Sequence, residues 1–136
     1  MADEIGFEVH LGLPYAQAIE KVTAALKAEG FGILTEIDVR ATMQEKLGVE
    51  FRPYAILGAS NPALAYRSLS QDALTGQMLP CNVTVEHGDA GGAIIRFINP
   101  EVMLAVGSLR EDPILGEVAR KARERLERVT RALVEA

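Results

Sequence analysis

The sequence predicts an α+β fold in which long helices cover one face of an antiparallel sheet of five strands, a two-layer sandwich. Two periodicities predict it: polarity alternates every second residue in several segments, and apolar residues recur every three or four residues in others. A glycine-rich link between the last two strand segments favours a hairpin, and therefore antiparallel pairing. The predicted order of elements is β-α-β-(short α)-β-α-β-β-α, while periodicity does not give the order of strands in the sheet.

The first strand and the first helix are predicted from the N-terminal third of the chain. From Ile5 to Leu13, apolar and polar side chains alternate, as in a strand with one buried face. Pro14 then suits the start of a helix, and Gly30 suits its C-terminal end. The buried face of this helix is predicted from six residues at helical spacing: Tyr15, Ala18, Ile19, Val22, Ala25 and Leu26.

The second strand is predicted from Phe31 to Val39. Alternation places Ile33, Thr35, Ile37 and Val39 on one face, and Leu34, Glu36, Asp38 and Arg40 on the other. Thr42 and Glu45 then match a capping box, in which each side chain accepts from a free backbone N–H at a helix start. We therefore expect a short helix that begins at Thr42 and ends at Gly48.

The second half of the chain contains the remaining strands and helices. A short apolar strand, Tyr54 to Gly58, precedes Asn61-Pro62, which suits a helix N-cap followed by proline at the first helical position. The hairpin is predicted to join Cys81–His87 to Ala93–Ile98. A short apolar segment, Val102 to Val106, then precedes a long helix capped by Asp112-Pro113. Its apolar positions are Leu115, Val118, Ala122, Leu126, Val129 and Leu133.

Size and composition describe an ordinary soluble protein with one domain, residues 1–136. Apolar residues make up 49% and charged residues 24%, and no apolar run approaches the roughly 18 residues that cross a bilayer. The N-terminus is acidic and does not have the order of a secretory signal, so we expect a cytoplasmic protein that does not engage a membrane. The single cysteine, Cys81, cannot form an intramolecular disulfide.

The charge distribution disfavours nucleic acid as a partner. The formal net charge is −5, and the segment before the last helix carries most of the acidic excess. Binding to a phosphate backbone requires a surplus of Lys and Arg, which this chain does not have.

Seven polar residues are candidates for a ligand site, and each also has a structural explanation. Glu36, Asp38 and Arg40 share a strand face in the alternation, where two carboxylates about 7 Å apart can divide acid and base roles if burial separates their pKa values. The alternative is a solvated strand face. Ser60 and Asn61 precede a helix whose free N–H groups can bind an anion, although a cap alone accounts for them.

Cys81 and Asn82, the other two candidates, begin the fourth strand. The cysteine has no cation beside it in sequence, so burial explains it as well as reactivity does. His10 and His87 are isolated and suit surface positions near strand ends. No phosphate loop, dinucleotide fingerprint or nucleophile elbow occurs, and neither a metal site nor a catalytic residue is assigned.

Four motifs recur in one known family: Thr35-Glu-Ile-Asp38, Lys46-Leu-Gly-Val49, Gly58-Ala-Ser-Asn-Pro62 and Leu79-Pro-Cys-Asn82. With them the chain resembles, over nearly its whole length, the bacterial and archaeal domain-of-unknown-function family number 302. The resemblance implies a curved antiparallel sheet, similar to the TATA-binding-protein-like architecture, and names no reaction. It also implies that relatives often carry Cys at the position of Ser60, so Ser here weakens a common mechanism based on a thiol pair or a metal held with Cys81.

The sequence leaves three classes of function open. The first is a binding or sensory module, acting as a homodimer, whose small-molecule or anionic ligand lies between strand two, the Ser60-Asn61 loop and Cys81. The second is an enzyme with Glu36 or Asp38 as general acid/base, assisted by Ser60 or Cys81, which requires a buried carboxylate in a cleft. The third is a structural or interaction protein. No cofactor is assigned.

The homodimer is expected to cover apolar residues that the helices leave exposed. Leu34 and the segment Val102 to Val106 are the predicted interface, and we expect it to bury roughly 1,200–2,000 Å² in total. The alternative is a monomer in which the last helix covers the same surface.

Overall fold

Five strands form one antiparallel sheet in the order β1-β5-β4-β3-β2. The computed structural model describes residues 4–88 and 90–135. The strands β1 to β5 are Gly6–Leu11, Gly32–Asp38, Tyr54–Ser60, Cys81–His87 and Ala93–Ile98. The helices α1 to α5 are Tyr15–Ala28, Val39–Leu47, Pro62–Gln71, Pro100–Met103 and Pro113–Glu135, with two 3₁₀ helices at Ala73–Gln77 and Gly107–Glu111. The predicted fold class and element order are confirmed.

The main core lies between one face of the sheet and helices α1 and α5. Leu57, Val83 and Ile95 project from the three central strands into this core and are fully buried. The helices contribute the apolar positions that their spacing predicts: Ala18, Val22, Leu26, Leu126, Val129 and Leu133. Burying such side chains contributes about 1.5–3 kcal/mol each, so this layer supplies most of the stability.

The opposite face of the sheet is largely uncovered, and we call it the open face. Directly paired residues project to the same side of a sheet, so the register identifies its side chains. One row runs Ile37, Ile56, Thr84, Arg96 and Glu8, and the next runs Tyr54, Glu86, Ile94 and His10. All of these side chains except Glu86 are exposed or half-buried.

A bulge in β2 makes the predicted face assignment wrong. Ile33 pairs with Ala59, which faces the core, but the register shifts between Ile33 and Thr35. Beyond the shift Thr35 pairs with Gly58 on the open face, while Glu36 pairs with Leu57 on the covered face. An extra residue moves every later side chain to the other face, and alternation read from sequence does not reveal it.

The predicted capping box at Thr42 and Glu45 is wrong. Helix α2 begins three residues earlier, because Asp38 Oδ1 accepts from the Ala41 N–H at 2.9 Å and acts as the N-cap. The Thr42 hydroxyl instead donates to the Asp38 carbonyl at 2.9 Å. The strand therefore ends at Asp38, and Arg40 lies on the helix. Gly48 ends α2 in the left-handed conformation, with φ of 64°, as predicted.

Other helix ends agree with the sequence. Asn61 Oδ1 accepts from the Leu64 N–H at 3.3 Å, and Asp112 Oδ1 accepts from the Ile114 N–H at 2.9 Å.

The segment from Val102 to Val106 does not supply the predicted apolar surface, because Met103 and Leu104 are buried against α5. Among the described helices, none combines the length and apolarity needed to cross a bilayer.

Gly58 lies inside β3, which continues two residues beyond the predicted strand end, to Ser60. A Cβ at this position would overlap Thr35 Oγ1 and approach Pro80 Cγ to 2.9 Å. We expect Gly58→Ala to lower the free energy of unfolding by about 1–3 kcal/mol, because backbone or Thr35 must shift to admit the methyl group. Urea unfolding followed by circular dichroism measures the change.

Gly32→Ala is the matched control, because a Cβ at Gly32 meets no atom within 4 Å in the same sheet. A Gly58→Ala protein as stable as the Gly32→Ala protein would contradict the close approach of β2 to β3.

Candidate functional site

The structure separates the seven predicted site residues into four places. Ser60, Asn61 and Cys81 line one small cavity. Asp38 and Arg40 line a depression beside α2, and Asn82 lies in a groove on the open face. Glu36 is exposed on β2, on the covered side of the sheet. The composite site expected from the sequence is therefore not formed as one cleft.

The cavity beside Ser60 and Cys81 is apolar and small. Its volume of about 30 Å³ suits one water molecule and is far below that of a metabolite pocket. Asn61 accepts from the start of α3, and the Ser68 hydroxyl donates to the Leu64 carbonyl at 2.9 Å, so both have local partners. This cavity is a gap between β3, α3 and α5.

Burial governs the chemistry of Cys81. It raises the pKa of the Cys81 thiol to about 11, from an ordinary value of 9.0. The thiol is therefore protonated at neutral pH, whereas a nucleophile or metal ligand acts as the thiolate. This agrees with the structural role that the sequence allowed, and it removes the activated group that the enzyme hypothesis assigned to Cys81.

Glu36 and Asp38 lie near Tyr15 at the edge of the sheet. Burial raises the pKa of the Tyr15 hydroxyl, and the negative charges of Asp38 and Glu36 raise it further. Both carboxylates are exposed, and Asp38 is used as the cap of α2. A general acid or base requires a shielded carboxyl with a shifted pKa, so the exposure of this pair does not meet the condition set by the enzyme hypothesis.

The open face carries a groove of about 390 Å³ between β1, β5 and β4. Its volume falls within the range of small-molecule sites, about 300–1,000 Å³. Uncharged polar groups come from Tyr54, Asn82 and Thr84, and Ile98 adds an apolar contact. Of the seven predicted residues, Asn82 alone lies here.

An ion cluster forms around Glu86, and two of its members, Glu8 and Arg96, line the groove. The Glu86 side chain is only 6% exposed, and its two carboxylate oxygens accept from Arg52 and Arg96. Arg96 also donates from Nε to Glu8 at 2.8 Å, and His10 Nε2 lies 2.7 Å from the other Glu8 oxygen. Arg52 also makes a cation–π contact, because its guanidinium carbon lies 4.7 Å from the centre of the Phe51 ring.

The two arginines keep Glu86 ionised despite its burial. Burial raises the pKa of Glu86, but the hydrogen bonds from Arg96 and Arg52 outweigh it and hold the pKa below its ordinary value. Glu86 and then Glu8 raise the pKa of Arg96. Arg96 is thus neutralised by two carboxylates, and the cluster offers little net charge to a ligand.

This cluster is not evident from the sequence, because Glu8, Glu86 and Arg96 lie on three different strands and Arg52 precedes β3. Each of Glu8, Glu86 and Arg96 reads as a polar position in an alternating strand. The sequence gives one indication of the cluster: Glu86 and Arg96 carry opposite charges at such positions in two strands that a hairpin joins.

Within residues 4–88 and 90–135, no three His, Cys, Asp or Glu side chains are grouped as metal ligands would be.

Fold and site together define a small α+β protein with one covered and one open sheet face, and a candidate binding groove on the open face. Residues 7–133 match the family described as domain of unknown function DUF302. The chain belongs to that family, which confirms the resemblance drawn from its motifs.

A solved relative has the same fold. The chain is 32% identical to an uncharacterized conserved protein DUF302 from Bacillus stearothermophilus, whose crystal structure superposes with a TM-score of 0.82. The match covers 95% of this chain and 98% of the relative. No curated protein matches the chain. The two proteins therefore share the family and the fold along nearly their whole lengths.

We expect Cys81 to react slowly with iodoacetamide in the folded protein. A pKa near 11 in place of 9.0 lowers the thiolate fraction at pH 8 by about a hundredfold, and burial restricts access further. Mass spectrometry of timed samples, with and without urea, measures the two rates. Similar rates in both conditions would show that Cys81 is accessible in the folded state.

Glu86 is expected to make the stability of the fold depend on acid pH. Its folded-state pKa lies below the ordinary value of 4.5, so its contribution is complete above that pH and is lost as pH falls through the folded-state pKa. We expect Glu86→Gln to cost about 1–3 kcal/mol at pH 7 and to weaken the acid dependence. Urea unfolding at pH 7 and at acid pH measures both effects.

Glu124→Gln is the control, because the Arg120–Glu124 pair is exposed on α5. We expect it to change stability by less than about 0.5 kcal/mol at either pH. An acid dependence that is unchanged in Glu86→Gln would rule out Glu86 as its source.

Proposed function

We propose that this protein is a non-catalytic module that acts as a homodimer and binds a small, uncharged polar molecule in the groove on the open face. The observation that carries the proposal is the groove itself, which has a volume of about 390 Å³ and lies on the open face of the sheet. Small-molecule sites in proteins orient the ligand with a few convergent polar groups on a rigid scaffold. The cytoplasmic location expected from the sequence stays a prediction.

The lining supports an uncharged ligand. Tyr54, Asn82 and Thr84 offer two hydroxyl groups and an amide, which both donate and accept hydrogen bonds. Arg96 and Glu8 also line the groove, but each already pairs with the other at 2.8 Å. A charged ligand would compete with these ion pairs, and the anionic ligand considered from the sequence is therefore less favoured at this place.

Thermal denaturation against a library of uncharged metabolites tests the proposal. At a hundredfold excess over Kd, a ligand stabilises the folded state by about 2.7 kcal/mol, which raises Tm by roughly 10 °C in a domain of this size. We expect Thr84→Val to reduce this rise by at least about half, because the isosteric change removes a hydroxyl group from the groove.

Thr35→Val is the matched control. Thr35 projects from the same face of the sheet but does not line the groove, so the same isosteric change should leave the ligand response intact. A library without any stabilising compound would remove the main support for binding. A compound whose effect is equal in wild type, Thr84→Val and Thr35→Val would place its site elsewhere.

A further inference from the structure

Helix α2 is formed without burying any of its residues. Over Val39–Leu47 only Val39 and Met43 are half-buried, and the other side chains are exposed. An isolated helix of nine residues is marginal in water, and most helical stability in proteins comes from packing of one face. Caps at Asp38 and Gly48 contribute about 1 kcal/mol each and do not replace that packing.

Beside α2, the chain returns along one side of the helix and leaves a depression of about 340 Å³. We call α2 together with residues 49–51 the α2 patch. Leu47 and Val49 give it an apolar part, because these side chains are 69% and 45% exposed. Phe51 lines the depression from the other side. Exposed apolar side chains beside a depression lined by both apolar and charged residues are typical of interaction surfaces.

The charges of the α2 patch are balanced and have no ion-pair partner. Arg40 and Lys46 are basic, and Glu45 and Glu50 are acidic, in a chain with net charge −5. None of the four forms a salt bridge with another residue in the described part of the chain. In helix α5, by comparison, three of the five arginines, at positions 120, 123 and 128, form salt bridges.

We infer that the α2 patch is where a second copy of this chain docks, in a two-fold dimer. In such an interface the same surface meets itself, so each basic group can face an acidic group of the other copy, and the reverse. Leu47 and Val49 become buried in the contact. The inference rests on the homodimer of the proposed function and gives it a surface, with Leu47 and Val49 in place of the segment 102–106.

The docking uses side chains and does not extend the sheet. β2 is an edge strand, and two copies of an edge strand can pair. Antiparallel pairing about a two-fold axis at Glu36 or at Ile37 would place Glu36 beside Glu36 or Asp38 of the other copy. Like charges at such positions destabilise a pair of strands, so Glu36 and Asp38 disfavour pairing of this edge in these two registers.

Sedimentation and light scattering of Leu47→Asp test the surface. At about 50 µM, well above a micromolar dissociation constant, we expect wild type to have about twice the monomer mass of 14.7 kDa. Leu47→Asp should raise the dissociation constant at least about tenfold, because it places a charge in the apolar contact. Leu69→Asp is the control, since Leu69 is 46% exposed on α3, outside the patch, and it should stay dimeric.

Hydrogen exchange of the wild-type protein gives a second test that does not depend on the folding of a variant. On dilution from about 50 µM to well below the dissociation constant, residues 39–51 should lose amide protection while residues 62–71 keep theirs. A monomer at about 50 µM overturns both this surface and the proposed homodimer, without bearing on ligand binding. A dimer that persists in Leu47→Asp, or that leaves protection of residues 39–51 unchanged on dilution, overturns the surface alone.

Discussion

Packing of α1 and α5 against one face of the sheet is the constraint on which the rest of the structure depends. Leu57, Val83 and Phe97 pair directly across the three central strands, and all are buried under the two helices. Because side chains alternate along a strand, fixing these residues on one face fixes every intervening residue on the other. The core thus determines which polar groups gather on the open face.

The open face then shows how a charge is accommodated on a sheet. Glu86 projects from the central strand β4 between Arg52 and Arg96, and the two guanidinium groups keep its pKa low although water is largely excluded. Removal of one partner from such a group is costly, whereas the intact cluster is close to neutral. The groove with Asn82 and Thr84 therefore offers a ligand hydrogen-bonding groups more than net charge.

The region around β2 and α2 behaves differently from the rest of the chain. The helix covers no core, the strand lies at the edge of the sheet, and the charges of the α2 patch have no ion-pair partner among the described residues. Local interactions, in particular the Asp38 cap and the left-handed Gly48, are enough to define its shape. They are not enough to bury its apolar side chains, and this imbalance is what points to association.

The sequence by itself determined the elements whose signals are local. Apolar spacing predicted the buried face of α5, the glycine-rich link predicted the β4–β5 hairpin, and Asn61 and Asp112 were recognised as caps, because each depends on residues within one or two turns. Tertiary structure alone decided the strand order, the bulge between Ile33 and Thr35, and the Glu86 cluster. Each of these depends on contacts between residues far apart in sequence, where one inserted residue moves a side chain to the opposite face.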